Sequence, residues 1–260
     1  MIPQPEANPD QTQATKKLKL MLIVAHPDDE CFAFGGALAL AADQGVETRV
    51  ICLTDGQAAT NRGSSADAAD LGRMRREEFT ASCNILGVTQ HELLDYQDAQ
   101  LEFADFSRAA ARLVRRMRQF QPDVVLTFGL DGGLNTHPDH TVVSALTTAA
   151  VHWAASAKRF PELGPIHITR RLFHISTDFF MDGRPAPLPA PWTLALDIRS
   201  VKTRKAEAFR AHTSQAPLVE RTKEMFEERG DTEHYTLMAS PDAQSATQAA
   251  TQLTDMFTGL

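Results

Sequence analysis

The sequence predicts an α/β fold of Rossmann-like type, a largely parallel sheet with helices on both faces. Three observations carry this. Short apolar runs bounded by turn residues alternate with amphipathic helical stripes over most of the 260 residues. Two dense clusters of histidine and carboxylate each follow directly on a predicted strand. In parallel sheets, ligand sites lie outside the carboxyl ends of the strands, so both clusters should meet on one rim.

Leu18 to Ala25 reads as the first buried strand and ends at the first cluster, His26-Pro27-Asp28-Asp29-Glu30. Pro27 biases His26 towards an extended conformation. Phe34 to Gln44 reads as a helix stopping near Gly45, and Thr48 to Leu53 as the next strand, turning at Thr54-Asp55-Gly56. Asn61 to Ala69 is a polar loop rich in small residues, expected to be mobile over one face. Leu71, Met74, Phe79, Cys83 and Leu86 recur at helical spacing, and Gly87 closes that helix. A short strand around Leu93-Leu94 follows. Phe106, Ala110, Leu113, Val114 and Met117 then mark another helix, whose opposite face carries Arg108, Arg112, Arg115, Arg116 and Arg118. That arginine face is expected to be solvated.

Asp123 to Phe128 is the clearest later strand. It runs through a Gly-rich loop, Gly129 to Thr136, into the second cluster, His137-Pro138-Asp139-His140, and a helix from about Pro138 to Ala157. Leu172 to Ile175 and Trp192 to Ile198 are expected strands joined by a Pro-rich loop over 184–191. Ser200 to His212, Leu218 to Arg229 and the tail from Ser245 are expected helices. Residues 1–17 read as a disordered lead-in and 18–260 as a single α/β domain.

Composition bounds the function. A net charge of -7 and a pI near 5.7 argue against nucleic acid and against anionic membrane surfaces. No apolar run approaches the roughly 18 residues of a membrane span. Residues 1–15 contain no apolar core of a secretory signal. Cys31, Cys52 and Cys83 form no CxxC pair and read as reduced thiols of a cytoplasmic protein. The oligomeric state is left open, a homo-oligomer included.

The clusters themselves point to metal chemistry. Three carboxylates and an imidazole packed beside a core are costly unless something neutralises them, and a divalent metal does so. His26, Asp29 and His140 would give two imidazoles and one carboxylate with a coordination position open, the pattern of a catalytic zinc site. Such a metal lowers the pKa of its water to about 7 and polarises a carbonyl oxygen. Asp28 cannot easily share the metal with its neighbour Asp29, and is suited to act as general base. His137, three positions before His140, is suited to hold an oxyanion or protonate a leaving nitrogen. Alone, the second cluster also reads as a helix N-terminus with a capping acid, Asp139, and the first as a surface turn. Together, each after a strand, they read as a metal site. Glu30 is expected to brace the loop, His212 to pack behind it, and His152, His167 and His174 to be structural.

These residues resemble the PIG-L/LmbE-like de-N-acetylases, in His26-Pro27-Asp28-Asp29-Glu30 with Gly35-Gly36 and in His137-Pro138-Asp139-His140. Arg75 to Glu78, Asp98 after Tyr96-Gln97, and His212-Thr213-Ser214-Gln215 extend the resemblance across roughly Leu18 to Gln215. It implies a zinc-dependent (or ferrous) hydrolase removing acetyl from an N-acetylglucosamine conjugate. His26, Asp29 and His140 would bind metal, Asp28 would be the base and His137 the acid or electrostatic partner. The resemblance also implies that Arg75 contacts substrate hydroxyls or an anion, and that Asp98 holds sugar or orients His137. Some relatives carry a tyrosine just before the second motif; here the loop is Gly132-Gly133-Leu134-Asn135-Thr136. Two other classes remain as alternatives. A phosphoester hydrolase on the same constellation would need a second metal and more ligands, and no further ligand cluster is evident. A non-catalytic sugar- or nucleotide-binding module finds neither GxGxxG nor a Walker sequence here.

Overall fold

A computed structural model describes residues 17–133, 137–177, 190–241 and 253–260. All but Lys17 of the expected lead-in, the end of the Gly-rich loop, most of the Pro-rich link and the first half of the expected tail helix lie outside the described residues; the second half, 253–260, forms bends and a turn rather than the expected helix.

Among the described residues, seven strands form one sheet in the order β3-β2-β1-β4-β5-β7-β6. The strands are β1 (Lys19–Val24), β2 (Glu47–Thr54), β3 (Gln90–Tyr96), β4 (Val124–Thr127), β5 (Arg171–Ser176), β6 (Leu194–Asp197) and β7 (Thr232–Ala239). Strands β1 to β5 pair in parallel, and β7 runs antiparallel between β5 and β6. The expectation of a largely parallel sheet holds. β1 is flanked by β2 and β4 and covered on both faces, so Leu20 to Val24 are all fully buried. That environment is why the strand reads as an unbroken apolar run rather than an alternation.

The helices are α1 (Asp29–Phe32), α2 (Gly35–Asp43), α3 (Ala68–Leu86), α4 (Phe106–Phe120), α5 (Pro138–Ala154), α6 (Lys202–Arg210) and α7 (Ala216–Arg229). The caps follow local chemistry. Asp67 accepts from the Asp70 N–H at 2.8 Å to start α3, and Gly87, at φ 77°, closes it in the left-handed conformation. Asp105 starts α4 in the same way. Pro138 occupies the first turn of α5, where its missing N–H is harmless.

One strand has no counterpart in the sequence reading, and one further expectation needs correction. β7 carries no strong apolar run, and its pattern alone did not predict a strand; it forms because it fills the gap between β5 and β6. The arginine face of α4 is not uniformly solvated. Arg112 pairs with Asp95 at 2.5 Å, and Arg116 with Glu92, both on β3. Arg118 is buried, its guanidinium donating to the carbonyls of Trp153, Ala154, Ser156, Arg159, Phe160 and Gly164. It thereby gives a charged donor to carbonyls at the end of α5 and in the turn beyond, of which those of Trp153, Ala154, Ser156 and Phe160 also accept a backbone N–H.

The strand order reverses at β1: β2 and β3 lie to one side, β4 and β5 to the other. The first cluster leaves β1 and the second follows β4, so the two meet at this switch point.

Candidate metal centre and active site

A cavity of about 270 Å³ opens at the switch point, lined by His26, Asp28, Asp29, Asp98, His137 and His140 among others. The structure thus brings together all seven residues singled out from the sequence, Arg75 included, around one cavity.

Each ring nitrogen has an assignable task. His26 lies with Nε2 at 2.9 Å from Asp98 Oδ1 and 3.2 Å from Asp139 Oδ2, while its Nδ1 is 3.6 Å from Asp29 Oδ2. His140 has Nδ1 at 3.1 Å from the Gly132 carbonyl, an acceptor only, so that nitrogen carries a proton and Nε2 is left towards Asp29 Oδ1 at 3.2 Å. Its ring stacks on Phe128, with centroids 4.0 Å apart. A metal-binding histidine ordinarily hands its other N–H to a carboxylate or carbonyl, and both imidazoles here are arranged that way. One donor atom each from His26, Asp29 and His140 lies within 4.8 Å of the others. Two nitrogens and a carboxylate oxygen are a donor set for zinc or ferrous iron, so the residues fit such an ion. His26, Asp98 and His137 likewise bring one donor atom each within 4.8 Å of the others. This second group shares His26, and its Asp98 is already engaged with the Ala58 N–H at 2.9 Å.

The electrostatics follow from crowding. Burial alone would push His26 down, but hydrogen bonds to Asp139, Asp29 and Asp98 hold it well above its ordinary value. Burial would raise Asp29, yet the charge and hydrogen bond of His140, with those of His26, hold it well below. Asp28 is different. Burial raises it to about 6, with the neighbouring Asp29 adding to the rise and Arg75 opposing it.

The adjacent carboxylates diverge, as chemistry required. Asp29 opens α1 and turns to the histidines, whereas Asp28 Oδ2 accepts from Arg75 at 2.9 Å. Arg75 also donates to the carbonyls of Pro27 and Gly56. A side chain at Gly56 would run into this guanidinium. Arg75 is therefore a brace for the Asp28 loop as well as a cavity wall. Asp98 faces His26 and the Ala58 N–H. His137 stands just before α5 with its Nδ1 accepting the Asp139 N–H at 3.2 Å, which leaves the ring proton on Nε2 when the imidazole is neutral. Burial and the charges of His26 and His140 push it below its ordinary value.

Several contributors were missed in the sequence. Asp139, weighed only as a capping acid, accepts from the Ala99 and Leu101 N–H groups and faces His26. It ties the loop after β3 to the start of α5. Glu78 accepts from Thr213 Oγ1, Ser214 Oγ and the Ser214 N–H, each at 2.7 Å, locking the Arg75–Glu78 turn of α3 to the His212–Gln215 segment. Both segments had been noted, but not that they bind each other. Glu30 braces the loop as expected: its Oε2 accepts from the Asp28 N–H, and its Oε1 from Ser82 and His212. Asp55 pairs with Arg76 rather than entering the cavity lining. The three cysteines are buried and free.

Fold and site together have the form of a candidate metallohydrolase on a parallel α/β sheet. The chain belongs to the PIG-L family, described as GlcNAc-PI de-N-acetylase, whose profile matches residues 21–151. It is 32% identical to a 1D-myo-inositol 2-acetamido-2-deoxy-alpha-D-glucopyranoside deacetylase of Rhodococcus jostii, over 76% of this chain and 81% of that one. It is 29% identical to a probable N-acetyl-alpha-D-glucosaminyl L-malate deacetylase 2 of Bacillus cereus, over 75% of this chain and 83% of the relative. Among solved structures, it is similar to the N,N'-diacetylchitobiose deacetylase of Pyrococcus horikoshii, with TM-score 0.67 and 25% identity, covering 88% and 89% of the two chains.

Proposed function

We propose that this protein is a divalent-metal-dependent hydrolase that removes the N-acetyl group from an N-acetylglucosamine conjugate, with zinc or ferrous iron held by His26, Asp29 and His140. The observation that carries the reading is convergence. The donor set, a carboxylate raised to about 6 and a histidine whose free nitrogen is a donor all border one cavity. When bound, the metal would supply Lewis-acid polarisation of the acetyl carbonyl and acidify water.

The chain's own groups do the rest. Asp28, ionised at neutral pH, takes the proton from the attacking water as its oxygen bonds to the acetyl carbon. Arg75 holds that carboxylate in place. His137, neutral and protonated on Nε2, donates to the developing oxyanion or to the nitrogen as the C–N bond breaks. The products are acetate and a free amine. Asp98 and Asp139 keep His26 in the orientation that turns Nδ1 to Asp29. Phe32, Ala33, Phe128, Ile175 and Leu218 give the cavity an apolar wall suited to an acetyl methyl and a sugar face.

Among the described residues no helix is long and apolar enough to cross a membrane. Three buried, unpaired cysteines support a reducing, cytoplasmic setting. The relatives favour amide hydrolysis over the phosphoester and binding-module alternatives.

The test is acetate release from a panel of N-acetylglucosamine conjugates, including inositol and malate derivatives, by metal-free protein reloaded with Zn²⁺ or Fe²⁺. The expected result is one acetate per amine formed with at least one conjugate. A fully metal-loaded protein that releases no acetate from any of them would refute the reading.

A further inference from the structure

Asp28 adopts φ 108°, in the left-handed region that residues with a Cβ rarely enter. Such a conformation is strained and persists only where the surroundings enforce it. Arg75 enforces it from one side through the Pro27 carbonyl and the Asp28 carboxylate. From the other side the hold is on the peptide itself: the Asp28 N–H donates to Glu30 Oε2 at 2.9 Å.

Glu30 is fully buried, and its direction is set by what its second oxygen accepts. Oε1 takes Ser82 Oγ at 2.5 Å and His212 Nε2 at 2.8 Å. His212 lies 182 residues downstream of Glu30, is itself fully buried, and is not among the residues lining the cavity. Its Nδ1 makes no hydrogen bond among the described residues and lies 4.0 Å from Glu78 Oε2, so the ring's hydrogen bond is the one through Nε2. A residue that merely packed in the core would not need a polar atom aimed at a buried carboxylate. The next residues face elsewhere: Ser214 binds Glu78, while Gln215 lines the cavity and donates to the Asn61 carbonyl at 3.3 Å. His212 therefore stands where the wall of the cavity meets the loop of the base.

Resting on the reading of Asp28 as base, we infer that His212 is a positioning residue: by fixing Glu30, it fixes the Asp28 peptide and with it the direction of the Asp28 carboxylate. His212 touches neither the donor set nor the cavity, so its loss should act on turnover rather than on binding of metal or substrate. Glutamine places an amide nitrogen about where histidine has Nε2, whereas asparagine is one bond too short to reach Glu30.

The experiment compares wild type, His212→Gln and His212→Asn, each metal-loaded, on the best conjugate from the acetate-release panel. For His212→Asn, kcat should fall roughly 10- to 100-fold, the range seen when a partner behind a metal site is removed. KM and bound metal per chain should stay within about twofold of wild type. His212→Gln should recover most of the lost kcat. An unchanged kcat in His212→Asn, an equal loss in both variants, or a loss traced to metal, KM or failure to fold would each overturn the assignment. Wild type inactive on the whole panel would instead count against the proposed reaction, a separate outcome.

Discussion

Two buried charged clusters in this protein look alike in composition and differ in closure. At the start of α2, the Glu233 carboxylate accepts from the Gly36 and Ala37 N–H groups, from Lys205 Nζ at 2.6 Å and from the Tyr235 hydroxyl at 2.7 Å. Four donors meet both oxygens, and Glu233 and Lys205 are almost wholly buried. At the switch point, by contrast, Asp28, Asp29, Asp98 and Asp139 crowd around His26, His137 and His140, and though several of them pair, possible metal-ligating atoms of His26, Asp29 and His140 also converge beside one cavity. Burial of charge does not by itself mark function. A closed cluster is a fastener, while one that leaves aligned donors facing a cavity is waiting for a ligand.

That contrast can be broken at several points. The largest effect should come from Asp28→Asn, which keeps the shape and an acceptor but removes the base. Acetate release should drop by roughly 10²–10⁴-fold while the protein still folds and binds metal. Retention of near-normal turnover would remove Asp28 from the role of base.

Glu233→Ala should do the reverse. It strands the Lys205 ammonium, the Tyr235 hydroxyl and two N–H groups at the start of α2. Breaking a buried ion pair from one side costs about 3–5 kcal/mol, to be read in chemical denaturation. Activity per folded molecule should be unchanged, since no atom of this cluster meets the donor set.

A smaller, pH-dependent effect belongs to His174, buried on β5 with Nε2 3.0 Å from Thr148 Oγ1. Burial lowers its pKa from 6.5 to about 4. The unfolded chain then binds this proton near pH 6.5 and the folded chain only near 4. The stability tied to the neutral ring is therefore fully present above 6.5 and drains away as pH falls towards 4. At about 1.4 kcal/mol per pH unit, the loss between pH 7 and 4 is about 3 kcal/mol. His174→Gln should lose less stability than wild type over that interval by about this amount. Parallel stability curves for the two proteins would show that the histidine is not held neutral.

How much of this was legible beforehand depended on whether the signal was local. β1, β2 and β4 are central and covered on both faces, so they appear as continuous apolar runs; the first histidine cluster follows such a run directly and the second follows one after the Gly-rich loop. Asp28 and Asp29 could be given different tasks because neighbouring side chains diverge. β7 was not legible: Glu233, His234 and Thr236 interrupt its apolar positions, and it is a strand only because β5 and β6 present edges for it. The task of Asp139 was hidden likewise. A carboxylate in the first turn of a helix looks like a cap, and only the fold shows that it gathers the loop after β3 and His26. Arg118 looked like one more surface charge on α4, and its carbonyl cage comes from residues more than thirty positions away. The Glu78 bond to Ser214 spans 136 residues and leaves no periodic trace.

The metal stoichiometry of the protein decides whether His26, Asp29 and His140 form one donor set. Wild-type protein, equilibrated with Zn²⁺ or Fe²⁺ and freed of excess, should carry one divalent ion per chain by elemental analysis. Asp28→Asn should keep it, whereas Asp29→Ala and His140→Ala should lose it together with acetate release. Two ions per chain, or full occupancy in His140→Ala, would contradict the assignment of His26, Asp29 and His140 as the donor set.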